Sequence, residues 1–296
     1  SVAGELYQDM RADYRYAAGA VAFDARASLY NGTVTATGTA SPSQLNIDWV
    51  ADHIDVDRIL RERNTMQAQG FVRAQGRIVG RPDDPAVYAT VTGDGLTVNG
   101  EAVEDASAEV AYHGGVVALR HAQFRQHDGV YRFDGSYRLP TGAIEGAGEV
   151  TAVEITRLLH LVNADMPHLT GLIDGRIQVR GTTENPGVSV RGRWTQGAVR
   201  DLPIGDTALD VSLADRVVRI RQLRMPLGEG VLAAQGTAAL DGDVDMQVAA
   251  QHIDARYLQA FMNQEPTLTG DVRFSAVVTG KTASPSVDMS FDVANG

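Results

Sequence analysis

The chain has 296 residues, 44% of them hydrophobic, and a formal net charge of −11 at pH 7. This apolar content suffices to bury a large interior and is too high for a disordered chain. The acidic balance argues against a nucleic-acid-binding surface, which needs clustered lysine and arginine on one face. The absence of cysteine excludes disulfides, thiolate zinc sites and cysteine nucleophiles.

No apolar run approaches the roughly 18 residues that a membrane-spanning helix needs. The first residues also lack the basic region and apolar core of a signal peptide. We therefore expect any targeting or anchoring segment to lie outside this sequence.

The dominant pattern is a repeat of about one hundred residues. Similar glycine-bounded segments begin at Gly70, Gly171 and Gly270, so successive copies are 101 and 99 residues apart. Each copy continues to a proline at the same spacing, namely Pro85, Pro186 and Pro285. The repeat predicts one continuous array over 1–296. Its approximate units are 1–52 (the second half of a repeat), 53–151, 152–251 and 252–296 (the start of a repeat).

Short helices are predicted just before each glycine-bounded segment, at 56–60, 155–159 and 254–258. Elsewhere, apolar and polar residues alternate with period two, which is typical of half-buried strands. Glycine-containing pairs such as Asn31-Gly32 and Asp134-Gly135 favour tight hairpins between them.

These patterns predict an all-β fold with about seven strands in each unit. We expect an elongated, twisted antiparallel sheet that curls into an apolar-lined groove, with short helices between the repeats. The candidate groove lining consists of the apolar residues expected to point inward. They are Val72, Ile78, Val87, Ile173, Ile177, Val179, Val188, Val190, Val211, Leu232, Val272, Phe274, Val278, Met289 and Phe291. The same alternation would also serve a closed, dry β core.

Catalytic and metal-binding patterns are weak. His53 and His252 occupy nearly equivalent positions before the predicted helices, but neither belongs to an HExxH motif, so a packing or capping role is favoured. The carboxylates are dispersed, which gives no support for paired acid–base catalysis. We expect no enzyme activity, catalytic residue, metal, cofactor or nucleic-acid partner.

One segment resembles a known family. The run from Leu169-Thr170-Gly171 to Asn185-Pro186 is similar to the "LTG…G…GT…NP" signature of TamB-like and AsmA-like bacterial envelope proteins. The third repeat begins with the same three residues, Leu268-Thr269-Gly270. The first repeat departs from the pattern, since it has Ala68-Gln69-Gly70 at this position. The resemblance covers most of the chain in register.

The resemblance implies a periplasmic fragment of a diderm bacterial protein that is anchored in the inner membrane by a helix outside this sequence. Such proteins form β-grooves that carry phospholipids between the inner and outer membranes and support outer-membrane biogenesis. The implied partners are phospholipid acyl chains and, through regions outside this fragment, an Omp85-type outer-membrane assembly protein.

Two other functions remain open at the level of sequence. A scaffold or chaperone-like module could assist the assembly of outer-membrane proteins, including autotransporters, by pairing an exposed sheet edge with client strands. A surface adhesin stalk would share the repeats but should bury its core in a closed sandwich.

Overall fold

The protein is described by a computed structural model over residues 8–60, 67–161, 168–262 and 264–294. Among the described residues, strands account for 77% and helices for 6%. The paired strands run antiparallel, so the all-β antiparallel sheet predicted from the alternation is confirmed. The chain divides into two compact units, Ser1–Ala143 and Ile144–Gly296.

The first unit is a meander in which each strand pairs with the next along the chain. Its described strands are β1 (Gln8–Ala17), β2 (Ala20–Leu29), β3 (Gly32–Ala40), β4 (Leu45–Asp55), β5 (Ala68–Arg81), β6 (Asp84–Val98), β7 (Glu101–His113), β8 (Val116–Gln126) and β9 (Gly129–Arg138). Helix α1 (Val56–Leu60) lies between β4 and β5.

The second unit follows the same plan. Its described strands are β10 (Ala143–Glu154), β11 (Leu169–Thr182), β12 (Pro186–Val199), β13 (Leu202–Ile204), β14 (Thr207–Ala214), β15 (Val217–Leu227), β16 (Gly230–Ala239), β17 (Asp243–Asp254), β18 (Asp271–Lys281) and β19 (Ser284–Ala294). Helix α2 (Ile155–Leu161) follows β10, and α3 (Ala255–Phe261) follows β17. The short strand β13 pairs with both β12 and β15, while β12 also pairs directly with β14.

The prediction of about seven strands per repeat holds for only one of the two complete intervals. Six described strands lie between α1 and α2, and seven lie between α2 and α3. The additional strand is the three-residue β13, which forms where the chain crosses from β12 to β14.

The turn predicted at Asp134-Gly135 is wrong, because both residues lie inside β9 and Gly135 pairs with Leu119 of β8.

The predicted helix positions are confirmed by α1, α2 and α3. The Asp254 side chain caps α3 by accepting a hydrogen bond from the backbone N–H of Arg256 at 2.9 Å. The Arg256 guanidinium also donates to Asp254, at 2.7 Å, and these hydrogen bonds lower the pKa of the Asp254 carboxyl. Tyr257 and Ala260 turn the other face of α3 into the protein interior.

A β-bulge precedes α1 and another precedes α3. The pairing shifts between Ala51 and Ile54 in β4, and between Ala250 and Ile253 in β17. His53 and His252 occupy these bulges with φ of 56° and 53°. Each bulge places an extra residue on the polar side and returns an isoleucine to the apolar side. The two histidines are therefore placed as bulge residues.

Tyr257 anchors α3 to the sheet, since its hydroxyl donates to the carbonyl oxygen of Pro203 at 2.6 Å. Replacing Tyr257 with phenylalanine leaves that carbonyl without its partner and is expected to lower the unfolding free energy by ~1–2 kcal/mol. Urea denaturation at neutral pH measures this loss. The exposed Tyr88→Phe variant is the control and should unfold like the parent chain.

The same hydroxyl predicts a pH dependence. Burial, with a further contribution from the charge of Asp254, raises the pKa of Tyr257. The folded state therefore favours the neutral phenol, and this stabilisation is complete below the unfolded pKa of about 10. It is lost as the pH rises through the higher folded pKa. The unfolding free energy of the parent chain should therefore decline in alkali. The Tyr257→Phe variant should lack the part of this decline that comes from the phenol. Identical pH profiles of the unfolding free energy for the two chains would contradict a raised pKa of Tyr257 as its cause.

Candidate functional site

The second unit presents an apolar face built from aligned rows of side chains. Directly opposed residues on antiparallel strands point to the same side of a sheet. Ile177 of β11 lies opposite Val190 of β12, which in turn lies opposite Val211 of β14. We call the full alignment the central row. It runs through Ile177, Val190, Val211, Ile220, Gly236, Met246, Val278 and Val287.

Two further rows flank the central row on the same face. The first runs through Val179, Val188, Leu213, Val218, Ala238, Val244, Gly280 and Pro285. The second contains Met225, Leu232, Ala250, Phe274 and Phe291 on β15 to β19. None of the residues in these three rows carries a charge. The β11–β19 part of the sheet therefore has an apolar surface without an ionised side chain in its rows.

The first unit repeats this arrangement. Ile78 lies opposite Ile47 on one side and Val87 on the other. Their row runs through Tyr14, Phe23, Gly38, Ile47, Ile78, Val87, Tyr112, Val117 and Tyr137. A carboxylate enters this side at the end of β7, where Glu101 pairs opposite Val98. Glu101 accepts a hydrogen bond from Gln126 Nε2 at 3.1 Å, so its polar head is held at the end of the strand.

All fifteen predicted lining residues lie on the apolar face of their own unit, but they differ in exposure. Ile173 and Val272 are buried, with 7% and 1% exposed, and Val272 lies opposite the fully buried Ile253. These two residues pack inside the protein and leave little surface for a ligand. In contrast, Met289 and Phe291 are 57% and 53% exposed. The remaining eleven are partly buried.

The apolar face also contains residues that were missing from the predicted lining. Ile220, Met246 and Val248 face the same side as Val211 and Val278. Their alternation with polar neighbours could have identified them. Ile220 stands beside a bulge in β15, however, where a simple alternation loses its phase.

The opposite face carries the charges. Arg77 pairs with Asp48 at 2.9 Å across β4 and β5, and Arg176 pairs with Glu149 at 3.4 Å across β10 and β11. These groups are largely exposed, so each pair contributes little to stability. Depressions on this polar face are lined in part by Asp48, Arg77 and Arg120 in the first unit, and by Arg221 and Gln235 in the second.

The structure places His252 and His53 in local contacts with neighbouring side chains. His252 Nδ1 lies 2.9 Å from Asp271 Oδ2, and Arg273 shares that carboxylate, so this histidine belongs to an exposed ionic cluster. His53 stacks on Phe71 with ring centroids 3.7 Å apart. Within the described ranges, no group of three or more histidine, aspartate or glutamate side chains is placed to hold a metal ion. No helix among those residues is long and apolar enough to cross a membrane.

The two tryptophans lie on the apolar side. Trp194 is buried opposite Ile173, and its indole N–H donates to the carbonyl oxygen of Thr170 at 3.1 Å. Trp49 lies opposite Gly76, so a large side chain covers a position without one. Both contacts pack the sheet. Comparisons with protein families, with curated proteins and with solved structures give no match for this chain.

Proposed function

We propose that this chain is part of a periplasmic bridge that carries phospholipids between the inner and outer membranes of a diderm bacterium. The acyl chains would move along the apolar face, which would form the lining of a groove. The observation that carries this proposal is the central row, in which eight neighbouring strands present uncharged residues in unbroken register.

The length of the central row suits an acyl chain. Eight strands about 4.8 Å apart span roughly 34 Å, which is close to the thickness of a bilayer's hydrocarbon core and thus to two acyl chains end to end. Each CH₂ group moved from water onto such a surface gains up to about 0.8 kcal/mol. Aliphatic side chains form no directional bonds with the lipid, so no position along the row would hold it in place.

The cellular setting belongs to the same proposal. In a full-length protein anchored in the inner membrane, rows of this kind would continue from repeat to repeat towards the outer membrane. An Omp85-type assembly protein would be contacted through regions outside this fragment. The segregation of charged residues to the polar face supports this arrangement, since that face can meet water while the apolar face holds lipid.

A second candidate function is a scaffold that assists outer-membrane protein assembly by strand pairing. One observation favours it: Val287, Met289, Phe291 and Val293 of β19 are each at least half exposed. A client β-strand that docks on β19 would cover these apolar side chains.

Native mass spectrometry of the purified chain distinguishes the two candidates. The lipid-carrying proposal expects masses that exceed the chain mass by one or more phospholipids and that disappear after delipidation. Incubation of the delipidated chain with phospholipid vesicles should restore them. A chain that neither retains nor regains lipid would contradict the proposal and favour strand pairing.

A further inference from the structure

The polar face of the second unit contains a dense group of arginines, although the whole chain is acidic. Arg191 and Arg193 project from β12, and Arg219, Arg221 and Arg224 project from β15. Strand β14 lies between them and contributes one carboxylate, that of Asp210. We call these five arginines the arginine cluster. Asp210, Asp174 opposite Arg193 and Glu229 near Arg224 together supply three carboxylates to five guanidinium groups, which still leaves a local excess of positive charge.

Asp210 shows how the cluster holds an anion. Its Oδ2 atom lies 3.2 Å from Arg191 Nε and 3.5 Å from Arg221 Nη1. The two guanidinium groups come from strands on opposite sides of β14 and meet over that strand at a single oxygen atom. The bulge in β15 contributes to this geometry, because the register shift beside Asp210 brings Arg221 to the polar side together with Gln222.

At a neighbouring position on β14, two arginines again flank the strand, but the residue between them is Ala208, which has no carboxylate. Arg193 lies opposite Ala208, and Ala208 lies opposite Arg224. The Cα atoms of the two arginines are therefore two strand spacings apart, roughly 10 Å. Neither Arg193 nor Arg224 forms an ion pair within the part of the chain that the structure describes. Asp174, opposite Arg193 on β11, instead accepts a hydrogen bond from the backbone N–H of Ala152.

We propose that Arg193 and Arg224 bind a phosphate group over Ala208, in the way that Arg191 and Arg221 hold the carboxylate of Asp210. Guanidinium groups present paired N–H donors that match phosphate oxygens, and two of them on opposite sides of one strand can share a single phosphate. The methyl group of Ala208 leaves room for the anion between them.

The surroundings of Arg224 have space for the rest of a phosphate ester. It lines a depression with Arg221, Gln235, Gln247 and Glu229. The two glutamines are linked by a 3.1 Å hydrogen bond and offer further polar groups. The site lies on the face opposite the apolar rows, so it goes beyond the proposed lipid-carrying role and does not depend on it.

Titration of the 296-residue chain with inorganic phosphate at low ionic strength tests the site, because salt screens exposed charges. Isothermal calorimetry should detect binding, and Arg193→Gln and Arg224→Gln should each weaken it about tenfold. Ala208→Asp should weaken binding by at least as much, because the new carboxylate would occupy the site as Asp210 occupies its own. Circular dichroism checks that each variant retains the strand spectrum.

Arg180→Gln is the matched control, since it removes the same charge from the polar face at a residue that already pairs with Glu145. It should bind phosphate like the parent chain. Equal weakening by Arg180→Gln would show that net charge alone governs binding and would overturn the proposal. Undiminished binding by a folded Ala208→Asp variant would overturn it as well.

A second experiment identifies the source of the phosphate. Cosedimentation with phosphatidylglycerol vesicles that is reduced by Arg193→Gln but not by Arg180→Gln supports a lipid headgroup. Calorimetric binding of glycerol 3-phosphate without vesicle binding supports a soluble phosphate ester. A chain that binds neither vesicles, nor glycerol 3-phosphate, nor inorganic phosphate would overturn the proposal.

Discussion

Replacing Ile177 with aspartate is expected to lower phospholipid binding by about a hundredfold. Ile177 begins the central row and lies opposite Val190. An ionised carboxylate there would have to lose water wherever an acyl chain covers it, at a cost of several kcal/mol, and about 3 kcal/mol corresponds to two orders of magnitude in affinity. Binding of a fluorescent phospholipid by the delipidated chain measures the effect.

The adjacent residue offers a matched control for the Ile177 variant. Gln178 lies on the same strand, points to the polar face and is exposed. The Gln178→Asp variant adds the same charge one residue away and should bind lipid like the parent chain. Val211→Asp, two paired positions along the central row, should reproduce the loss. A folded Ile177→Asp chain with unchanged lipid binding would rule out the central row as a path for acyl chains.

Substituting alanine for Gly171 should destabilise the second unit by ~2–5 kcal/mol. The backbone there has φ of +123°, a conformation that residues with a Cβ atom rarely adopt. A Cβ atom would also stand 2.8 Å from the carbonyl oxygen of Thr195 and would collide with the indole nitrogen of Trp194. The cost therefore combines backbone strain with displacement of a buried side chain. Thermal and urea denaturation of the purified variant measure it.

The neighbouring Thr170→Ala variant is a suitable control for the glycine variant, because Thr170 is exposed and uses its backbone carbonyl to hold Trp194. It should change the unfolding free energy by less than about 0.5 kcal/mol. A Gly171→Ala chain as stable as the parent would mean that the landmark glycines recur at this spacing for a reason other than backbone conformation.

The repeat could be predicted from the sequence because its recurring glycines occupy positions where the backbone conformation favours glycine. Gly70, Gly171 and Gly270 all have φ between 108° and 143°. Where the backbone conformation favours glycine, another residue would destabilise the fold. Such a glycine therefore marks the register of the repeat even when the surrounding residues differ. The apolar rows were predictable for a related reason, since a half-buried strand must keep its period of two.

Other features escaped the sequence patterns because they depend on pairing partners. Asp134-Gly135 has the composition of a hairpin turn, yet the Asp134 side chain forms a hydrogen bond with the neighbouring strand. Asp134 Oδ1 accepts a hydrogen bond from the backbone N–H of His121, the positive-φ residue at a bulge in β8. Neither the bulge nor this contact can be inferred from β9 alone. The phosphate-binding arrangement around Ala208 was missed for the same reason, since it joins three strands.

The meander topology has a consequence for how each unit folds. Nearly all of its strand pairs join consecutive segments, such as β5 with β6 or β18 with β19, so the chain closes only short loops at each step. Sheets usually fold slowly because distant segments must meet, and that entropic cost is small here. Each hairpin can add to the one before it as soon as it leaves the ribosome. The unfolding free energy should then behave as a sum of local and nearest-neighbour terms. A destabilising substitution in one strand should therefore unfold the adjacent strands first.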